Sequence, residues 1–307
     1  MQQLILPILL ASFWTVCTGT GDWCYQSQFT CEHQCKVPDE WSHVNSNCGG
    51  KQQSPINIVT RKTLKDENLT PLQFTNYQQS FKGTIKNNGH SVQVGVSHLS
   101  TISGGDLPAV YKALQFHLHW GNNGGPGSEH TIDGEQYPME LHIVHMKQHY
   151  TDLTTALADP EGVAVLGFFY EKSNSANRKY EPIISALQSI KATNANTSLL
   201  PISMAQLIPS EKNLTSYYRY KGSLTTPGCT ESVIWTVFET PIPLSMDQLK
   251  AFSDIKFHDG KPMVRTFRPV QPLNGRQVFR SGSAMTLASS ALLGAAITMA
   301  LGLSQHN

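Results

Sequence analysis

The sequence has no strong excess of charge of either sign: across 307 residues, 23 Lys and Arg face 22 Asp and Glu. Without a basic surface or a long charged tail, it offers nothing for nucleic acid to bind, and we expect no nucleic-acid partner. It also lacks a repeat with a period of roughly 20 to 50 residues, which argues against a solenoid or a propeller. Low complexity is absent too, because 17 Pro and 23 Gly are ordinary numbers and 39% of the residues are hydrophobic. The chain is therefore expected to fold around a substantial core.

No linker rich in Pro, Gly or Ser divides the chain between about residues 23 and 280, so we predict one domain over residues 21–281. Short runs rich in β-branched and aromatic residues, bounded by turn formers, predict strands. Helical periodicity is convincing only over 183–190 and 246–252. The predicted fold class is mainly β (α+β), with a large sheet and a few short peripheral helices. The predicted strand runs are 91–96, 115–120, 140–146, 163–170 and 232–238.

Both ends of the chain resemble targeting segments. An apolar run over 4–16 is followed by small residues, which predicts a signal peptide over 1–20 and export; a buried core segment is the weaker alternative. The uncharged stretch 284–303 is long enough to cross a bilayer, but no Lys or Arg follows it. We therefore favour a glycolipid-anchor signal over 282–307, removed near Ser281, and keep a retained membrane helix as the alternative.

Two further features agree with a secreted protein. Three Asn-X-Ser/Thr sequons predict glycosylation, at Asn68, Asn196 and Asn213. An oxidising compartment favours disulfides, yet an odd number of cysteines remains once the signal is removed. Spacing does not select the pairs, and a zinc knuckle built from the N-terminal cysteines stays open. The five remaining cysteines are Cys24, Cys31, Cys35, Cys48 and Cys229.

Two strand-like segments carry histidines at spacings that suit one metal ion. His117 and His119 are two residues apart, so on a strand they share a face with Cα atoms about 6–7 Å apart. In the second segment Glu140, His142 and Val144 share a face. If the two strands are neighbours, three imidazoles can bind one ion and leave a fourth position for water, which is typical of catalytic zinc. Glu140 could then orient an imidazole N–H, and the lack of HExxH disfavours a zincin protease.

Taken in order along the chain, a set of motifs resembles the α-carbonic anhydrase family, and together they span almost the whole domain. The motifs are QSPIN (53–57), NNGHS (87–91), QFHLHWG (115–121), GSEHTIDG (127–134), ELHIVH (140–145), AVLGFF (164–169), GSLTTPGC (222–229) and FRPVQPL (267–273). The resemblance implies a mostly antiparallel, twisted central sheet of about ten strands, with zinc at the bottom of a conical cleft. It also implies disulfides Cys24–Cys35 and Cys48–Cys229, which leave Cys31 unpaired.

The resemblance also assigns the chemistry around the zinc. His117, His119 and His142 would be the metal ligands. Thr225 would orient the nucleophile by accepting its proton while donating its own to Glu129, and Thr226 would contact bicarbonate. The apolar wall of the carbon dioxide site would be formed by Val144, Val165, Leu224 and Trp235.

Further positions receive supporting roles from the same resemblance. His90 would be the proton shuttle, since a side chain that titrates near pH 7 is suited to that task, and Asn88 and Gln93 would line its water path. Gln115 and Glu140 would hold the rings of His117 and His142. His130 and His145 would be structural, and Thr266 stands where other members commonly have Asn.

The function that these assignments imply is zinc-dependent, reversible hydration of carbon dioxide to bicarbonate and a proton, at the extracellular face of the cell membrane. The alternative is a carbonic-anhydrase-like ectodomain that binds proteins and is catalytically silent. A zinc esterase acting on another carbonyl would share the same site. Nothing in the sequence supports a protein partner such as a bicarbonate transporter.

Overall fold

The computed structural model describes residues 23–30 and 35–282. The predicted signal peptide, Cys31 and residues 283–307 of the predicted anchor signal lie outside this part of the chain. The strands are β1 (Asn57–Ile58), β2 (Leu64–Asp66), β3 (Leu72–Thr75), β4 (Thr84–Asn87), β5 (Val92–Gly95), β6 (Thr101–Gly104), β7 (Tyr111–Trp120), β8 (Thr131–Ile132), β9 (Glu135–Gln136), β10 (Met139–Lys147), β11 (Val163–Ser173), β12 (Asn196–Ser198), β13 (Tyr217–Gly222), β14 (Val233–Ser245) and β15 (Phe279–Ser281). The α-helices are α1 (Leu153–Leu157), α2 (Glu181–Leu187), α3 (Met204–Leu207) and α4 (Met246–Ala251). Short 3₁₀ helices cover Gln26–Gln28, Pro38–His43, Ser46–Gly49, Thr60–Lys62, Arg178–Tyr180, Glu211–Asn213 and Phe252–Asp254.

One large sheet organises the described domain and confirms the predicted fold class. It has 12 strands, of which ten follow the order β12-β4-β5-β7-β10-β11-β14-β13-β15-β2, while β3 joins through β6 to β7. Most neighbours are antiparallel, but β11–β14 and β15–β2 are parallel, so the sheet is mixed. A separate small sheet contains β1, β8 and β9.

The central strands are buried on both faces. In β10, Leu141 and Ile143 belong to the larger apolar core, whereas Val144 and Met146 belong to a second cluster on the other face. Because side chains alternate across a strand, His142 is on the same face as Val144. The second cluster therefore marks the side of the sheet on which the histidines lie.

Two disulfides fix the N-terminal part of the chain, and they are the pairs that the resemblance implies. Cys24 bonds to Cys35, 11 residues away, and Cys48 bonds to Cys229, 181 residues away. The zinc-knuckle alternative is wrong for these residues, because Cys24, Cys35 and Cys48 are all used in disulfides.

The predicted anchor residue, Ser281, is the last residue of β15. Its buried hydroxyl accepts a hydrogen bond from Tyr217 N–H (3.0 Å) and donates one to the Thr215 carbonyl (2.8 Å). Within residues 23–30 and 35–282, no helix has the length and apolar character needed to span a membrane.

Candidate active site

Pairing of β7 with β10 brings the three predicted histidines together. His117 lies directly opposite His142 in the register, and His119 lies opposite Glu140. The ring centroids are 5.0 Å apart for His117 and His119, 5.2 Å for His117 and His142, and 4.6 Å for His119 and His142. One nitrogen from each ring lies within 4.8 Å of the others. The strands are thus neighbours, as the metal-site interpretation required.

In each of these rings, one nitrogen donates a hydrogen bond and the second nitrogen keeps a free lone pair. His117 Nδ1 donates to Gln115 Oε1 (3.0 Å), and His119 Nδ1 donates to the Thr266 carbonyl (2.6 Å). His142 is held the opposite way round, with Nε2 donating to Glu140 Oε1 (2.8 Å). These bonds leave Nε2 of His117, Nε2 of His119 and Nδ1 of His142 as lone-pair donors.

The chemistry of this donor set fits a zinc ion. Three neutral imidazole nitrogens are a known catalytic zinc set, and His119 Nε2 is buried without a hydrogen-bond partner. An unpaired buried nitrogen is costly unless something binds it. Burial lowers the pKa of His117 and of His119; the neighbouring histidines lower that of His117 further, whereas the Glu129 carboxylate partly offsets the effect of burial on His119. Both rings are therefore neutral near pH 7, the form that binds a metal.

Glu140 is a buried carboxylate with its hydrogen-bonding capacity filled. Its Oε1 accepts from His142 and from His130 Nδ1 (2.7 Å), and its Oε2 accepts from the backbone N–H groups of Glu129 (2.9 Å) and His130 (2.8 Å). Burial opposes its ionisation, but the His130 and His142 rings hold its pKa well below the usual range. A Cβ at Gly167 would lie 3.2 Å from Glu140 Oε1, so the glycine of AVLGFF leaves room for this carboxylate.

Glu129 presents one free oxygen to the histidine site. Its Oε1 accepts from the Arg268 backbone N–H (2.9 Å). Its Oε2 lies 3.4 Å from His119 Nε2 and 3.8 Å from His142 Nδ1, and it is buried without a hydrogen-bond partner. Thr225 is buried as well, but no hydrogen bond among the described residues joins it to Glu129. Glu129 Oε2 is thus available to accept the hydrogen bond predicted from the Thr225 hydroxyl.

Thr225 and Thr226 lie in the tight segment between β13 and β14. The Leu224 N–H donates to the Thr230 carbonyl (3.1 Å), and the Cys229 N–H donates to the Thr226 carbonyl (2.9 Å). Cys229 has a φ of 43°, a left-handed conformation that costs energy for a residue other than Gly. Its disulfide to Cys48 helps to hold this turn in place.

An apolar row crosses three strands beside the histidines. Val144 of β10 lies opposite Val165 of β11, and Val165 lies opposite Trp235 of β14. The Trp235 and His142 ring centroids are 4.8 Å apart, and partly buried Leu224 packs against the same cluster. All four residues predicted to line the carbon dioxide site therefore belong to one cluster.

His90 lies in the turn between β4 and β5 with its ring stacked on Trp23, at a centroid distance of 3.9 Å and an interplanar angle of 14°. Burial, together with the charge of His258, lowers its pKa to about 4. Asn88 Oδ1 accepts from the His90 N–H (3.0 Å), and Asn88 Nδ2 donates to Gln93 Oε1 (3.1 Å). Gln93 lies opposite His117 in the sheet, which links the turn to the histidine site.

The two other histidines of the motifs lie in buried hydrogen-bond networks. His130 bonds to Glu140 and, through Nε2, to Tyr220 Oη (2.7 Å). His145 bonds to Tyr77 Oη (2.7 Å) and to the Ala164 carbonyl (3.3 Å). Thr266 uses its carbonyl for His119, and its hydroxyl oxygen accepts from Trp120 N–H (3.0 Å), so the exchange of Asn for Thr keeps the ring held.

Sequence reasoning missed two residues that shape the site. Arg268 is buried and positions Glu129 through its backbone, while its guanidinium donates to Gln53 Oε1 (2.8 Å) and the Cys48 carbonyl (3.0 Å). It stands inside the FRPVQPL motif, so a signal was present. Trp23 lies outside all the motifs quoted above, so its contact with His90 could not be predicted from them.

Comparison with known proteins agrees with this geometry. A profile of the family described as eukaryotic-type carbonic anhydrase matches residues 36–282. Carbonic anhydrase 4 of Rattus norvegicus is 41% identical over 292 residues, covering 94% of both chains. Carbonic anhydrase 4 of Oryctolagus cuniculus is 40% identical over 287 residues (92% of both chains), and carbonic anhydrase 15 of Mus musculus is 35% identical over 305 residues (95% of this chain and 93% of the relative).

The fold, the three-histidine site and these matches define a single class of enzyme. The chain belongs to the eukaryotic-type carbonic anhydrase family. The resemblance drawn from its motifs is confirmed, and the enzyme class is that of carbonate dehydratases.

Proposed function

We propose that this chain hydrates carbon dioxide reversibly with a zinc ion held by His117, His119 and His142, at the extracellular face of the membrane. The convergence of three free imidazole nitrogens supports this proposal most directly. When bound, zinc supplies a Lewis acid that lowers the pKa of a water molecule to about 7, for which carbonic anhydrase itself is the standard example.

The role proposed for Glu129 and Thr225 is to orient the nucleophile. Glu129 Oε2 is buried and unpaired, so it is free to accept the hydroxyl hydrogen of Thr225. Thr225 can then only accept a hydrogen bond from the attacking oxygen, which aims a lone pair at the substrate. Thr226, the next residue, would contact bicarbonate.

The apolar row is proposed to hold carbon dioxide. Carbon dioxide is apolar and accepts only weak hydrogen bonds, so a wall of Val144, Val165 and Trp235 offers it a site for which water competes poorly. Leu224 completes this wall beside Thr225. Bicarbonate is charged and gains little from such a wall, which favours its release.

His90 is proposed to carry the proton to solvent. A histidine with a pKa near 4 accepts a proton poorly at pH 7. While its ring is stacked on Trp23, His90 is therefore unsuited to take up a proton. To act as the shuttle, the ring must leave Trp23 for a position that is more exposed to solvent. Hydrogen-bonded Asn88 and Gln93 connect its turn to the histidine site.

The test of the proposed function combines metal content with catalysis. The variant His119→Asn should lose bound zinc and reduce stopped-flow carbon dioxide hydration by several powers of ten, because one of three ligands is gone and the site keeps an unpaired carboxylate. His149→Asn, at an exposed position outside the site, is the matched control and should behave as the parent. A zinc-loaded parent that hydrates no faster than buffer would identify a silent ectodomain instead.

We also propose that the mature chain is glycosylated and tethered by a glycolipid near Ser281. Asn68, Asn196 and Asn213 are all exposed, as acceptor sites must be. Attachment uses the backbone carbonyl of the anchor residue, so the buried Ser281 hydroxyl can keep its hydrogen bonds. The sheet edge formed by β15 and β2 would then lie next to the membrane.

Anchoring is tested on intact cells. Phosphatidylinositol-specific phospholipase C should release the enzyme into the medium, because the glycolipid would be its only membrane attachment. A known glycolipid-anchored protein on the same cells serves as the positive control. Retention of this enzyme while the control is released would favour the membrane-helix alternative.

A further inference from the structure

A cavity of about 650 Å³ lies away from the histidine site, in the size range of small-molecule sites. Its lining comes from β13, β14, β15, β2 and the segment after β6. None of the zinc-site or carbon dioxide residues described above lines it. Arg219 lies on the face of β13 opposite to Tyr218 and Tyr220, which belong to the cluster of Val144 and Trp235, although Tyr220 also lines the cavity.

Arg219 is the central charged group of this cavity. It is 7% exposed and forms no ion pair among the described residues. Its Nε and Nη2 donate to Thr236 Oγ1 (3.2 and 3.1 Å) and its Nη1 donates to the Gly105 carbonyl (2.8 Å), so all its acceptors are neutral. A guanidinium has five N–H groups, which leaves two for a ligand. Burial lowers the pKa of Arg219, and the nearby Tyr217, Asp106 and Asp66 offset this only in part.

A second guanidinium in the lining, that of Arg276, also donates only to neutral acceptors. Arg276 donates to the carbonyls of Leu273 (3.0 Å), Lys221 (3.0 Å), Gln53 (2.7 Å) and Pro272 (3.0 Å), and to no carboxylate. Lys221, by contrast, is paired with Glu161 at 2.7 Å. Two guanidinium groups therefore line one cavity, and neither donates a hydrogen bond to a carboxylate.

The rest of the lining limits what the ligand can be. Leu69 and Ile234 are buried, and Leu107 and Phe279 are half-buried, so apolar surface faces the space beside Arg219. Asp66 and Asp106 also line the cavity and are more exposed than Arg219. Their charges disfavour a ligand with a second negative group.

We propose that this cavity binds a small organic monocarboxylate with an apolar body. The carboxylate accepts from the two free N–H groups of Arg219, in the paired geometry that guanidinium and carboxylate favour. The apolar body lies against Ile234, Leu107 and Phe279. The site is independent of the zinc and of carbon dioxide hydration.

The test uses phenylacetate as the probe and phenylacetamide as its neutral match, with backbone amide NMR on the folded enzyme. Phenylacetate should shift amides around Gly105, Leu107 and Phe279, in a saturable way. Phenylacetamide should bind at least about tenfold more weakly, since it cannot form the charged pair. Shifts confined to Leu224 and Thr225 would place the probe in the zinc cleft and overturn the proposal, as would equal affinity for the two probes.

Two variants locate the site. Arg219→Gln should weaken phenylacetate binding at least about tenfold, because the charge is lost. Leu107→Trp fills the cavity from a half-buried position and should block binding even if Arg219→Gln fails to fold. Lys65→Gln, which removes an exposed charge on neighbouring β2, is the matched control and should bind as the parent does. Unchanged affinity in Leu107→Trp would overturn the assignment.

Discussion

His90 shows how burial can set the proton affinity of a single side chain. Its ring stacks on Trp23, and Trp23 in turn packs edge-on against Trp41 (5.0 Å) and Tyr25 (5.5 Å). The platform under His90 is therefore itself held by a cluster of aromatic rings. Burial on this platform favours the neutral imidazole over the charged one.

Replacement of Trp23 should release His90. In Trp23→Ala we expect the pKa of His90 to rise from about 4 toward the ordinary value of 6.5, because the desolvating ring is gone. An NMR titration of the histidine ring protons measures this shift. Phe29→Ala, at a 45% exposed aromatic in the same N-terminal segment, is the control and should leave the pKa unchanged. A His90 pKa that stays near 4 in Trp23→Ala would mean that other groups cause the depression.

At the residue scale, the sequence predicted those site residues whose chemistry shows in local spacing. His117 and His119 follow from a two-residue repeat, and Val144 follows from strand alternation. Arg268 and Trp23 could not be placed this way, because their partners Glu129 and His90 are distant in sequence. Contacts of this kind come from the fold and leave no periodic signal.

The segment between β13 and β14 is the element that depends most on a covalent link. It carries Leu224, Thr225 and Thr226, and its Cys229 is tied to Cys48 near the start of the domain. The Arg268 guanidinium also donates to the Cys48 carbonyl. The disulfide therefore joins the turn that presents Thr225 to the segment that Arg268 holds.

The double variant Cys48→Ser/Cys229→Ser should lower the free energy of unfolding by about 2–5 kcal/mol. It should also slow carbon dioxide hydration, because the turn that presents Thr225 loses its covalent support. Urea unfolding and stopped-flow hydration measure the two effects.

Cys24→Ser/Cys35→Ser serves as the comparison, since it opens a separation of 11 residues where the other pair spans 181. In the chain-entropy account, the longer loop contributes more stability. A larger loss from the short-loop variant would show that native contacts, and not chain entropy, control the effect.

At the element scale, the sequence predicted which faces strands present but not which strands meet. Val165 and Trp235 were assigned by resemblance alone, and each taken singly has the character of ordinary core, whereas strand alternation had already placed Val144 on the histidine face. Their alignment depends on the parallel pairing of β11 with β14, which lie far apart in sequence. Long-range pairing of this kind is set by the whole sheet, so local patterns do not reveal it.

For the molecule as a whole, buried histidines make stability depend on pH. Burial lowers the pKa of His145 to about 4, against about 6.5 in an unfolded chain. Between these values the unfolded state binds more protons, so the free energy of unfolding should fall as the pH falls from about 6.5 toward 4. His90 acts in the same direction.

Urea unfolding of the zinc-free protein across this pH range measures the effect. His145→Gln should be less stable than the parent near pH 7, yet its stability should change less between pH 6.5 and 4, because one titrating group is gone. His149→Asn should keep the parental slope. An unaltered slope in His145→Gln would show that His145 does not titrate as its burial implies.

The 181-residue separation between Cys48 and Cys229 has a consequence for the way in which the chain responds to proteolysis. The three histidines proposed to bind zinc lie inside the covalent ring that this bond closes, as do Glu129 and Thr225. A single cut in any surface loop of the ring opens the chain but sheds no fragment. The nicked enzyme would migrate as one band on a non-reducing gel and separate into two only after a thiol is added.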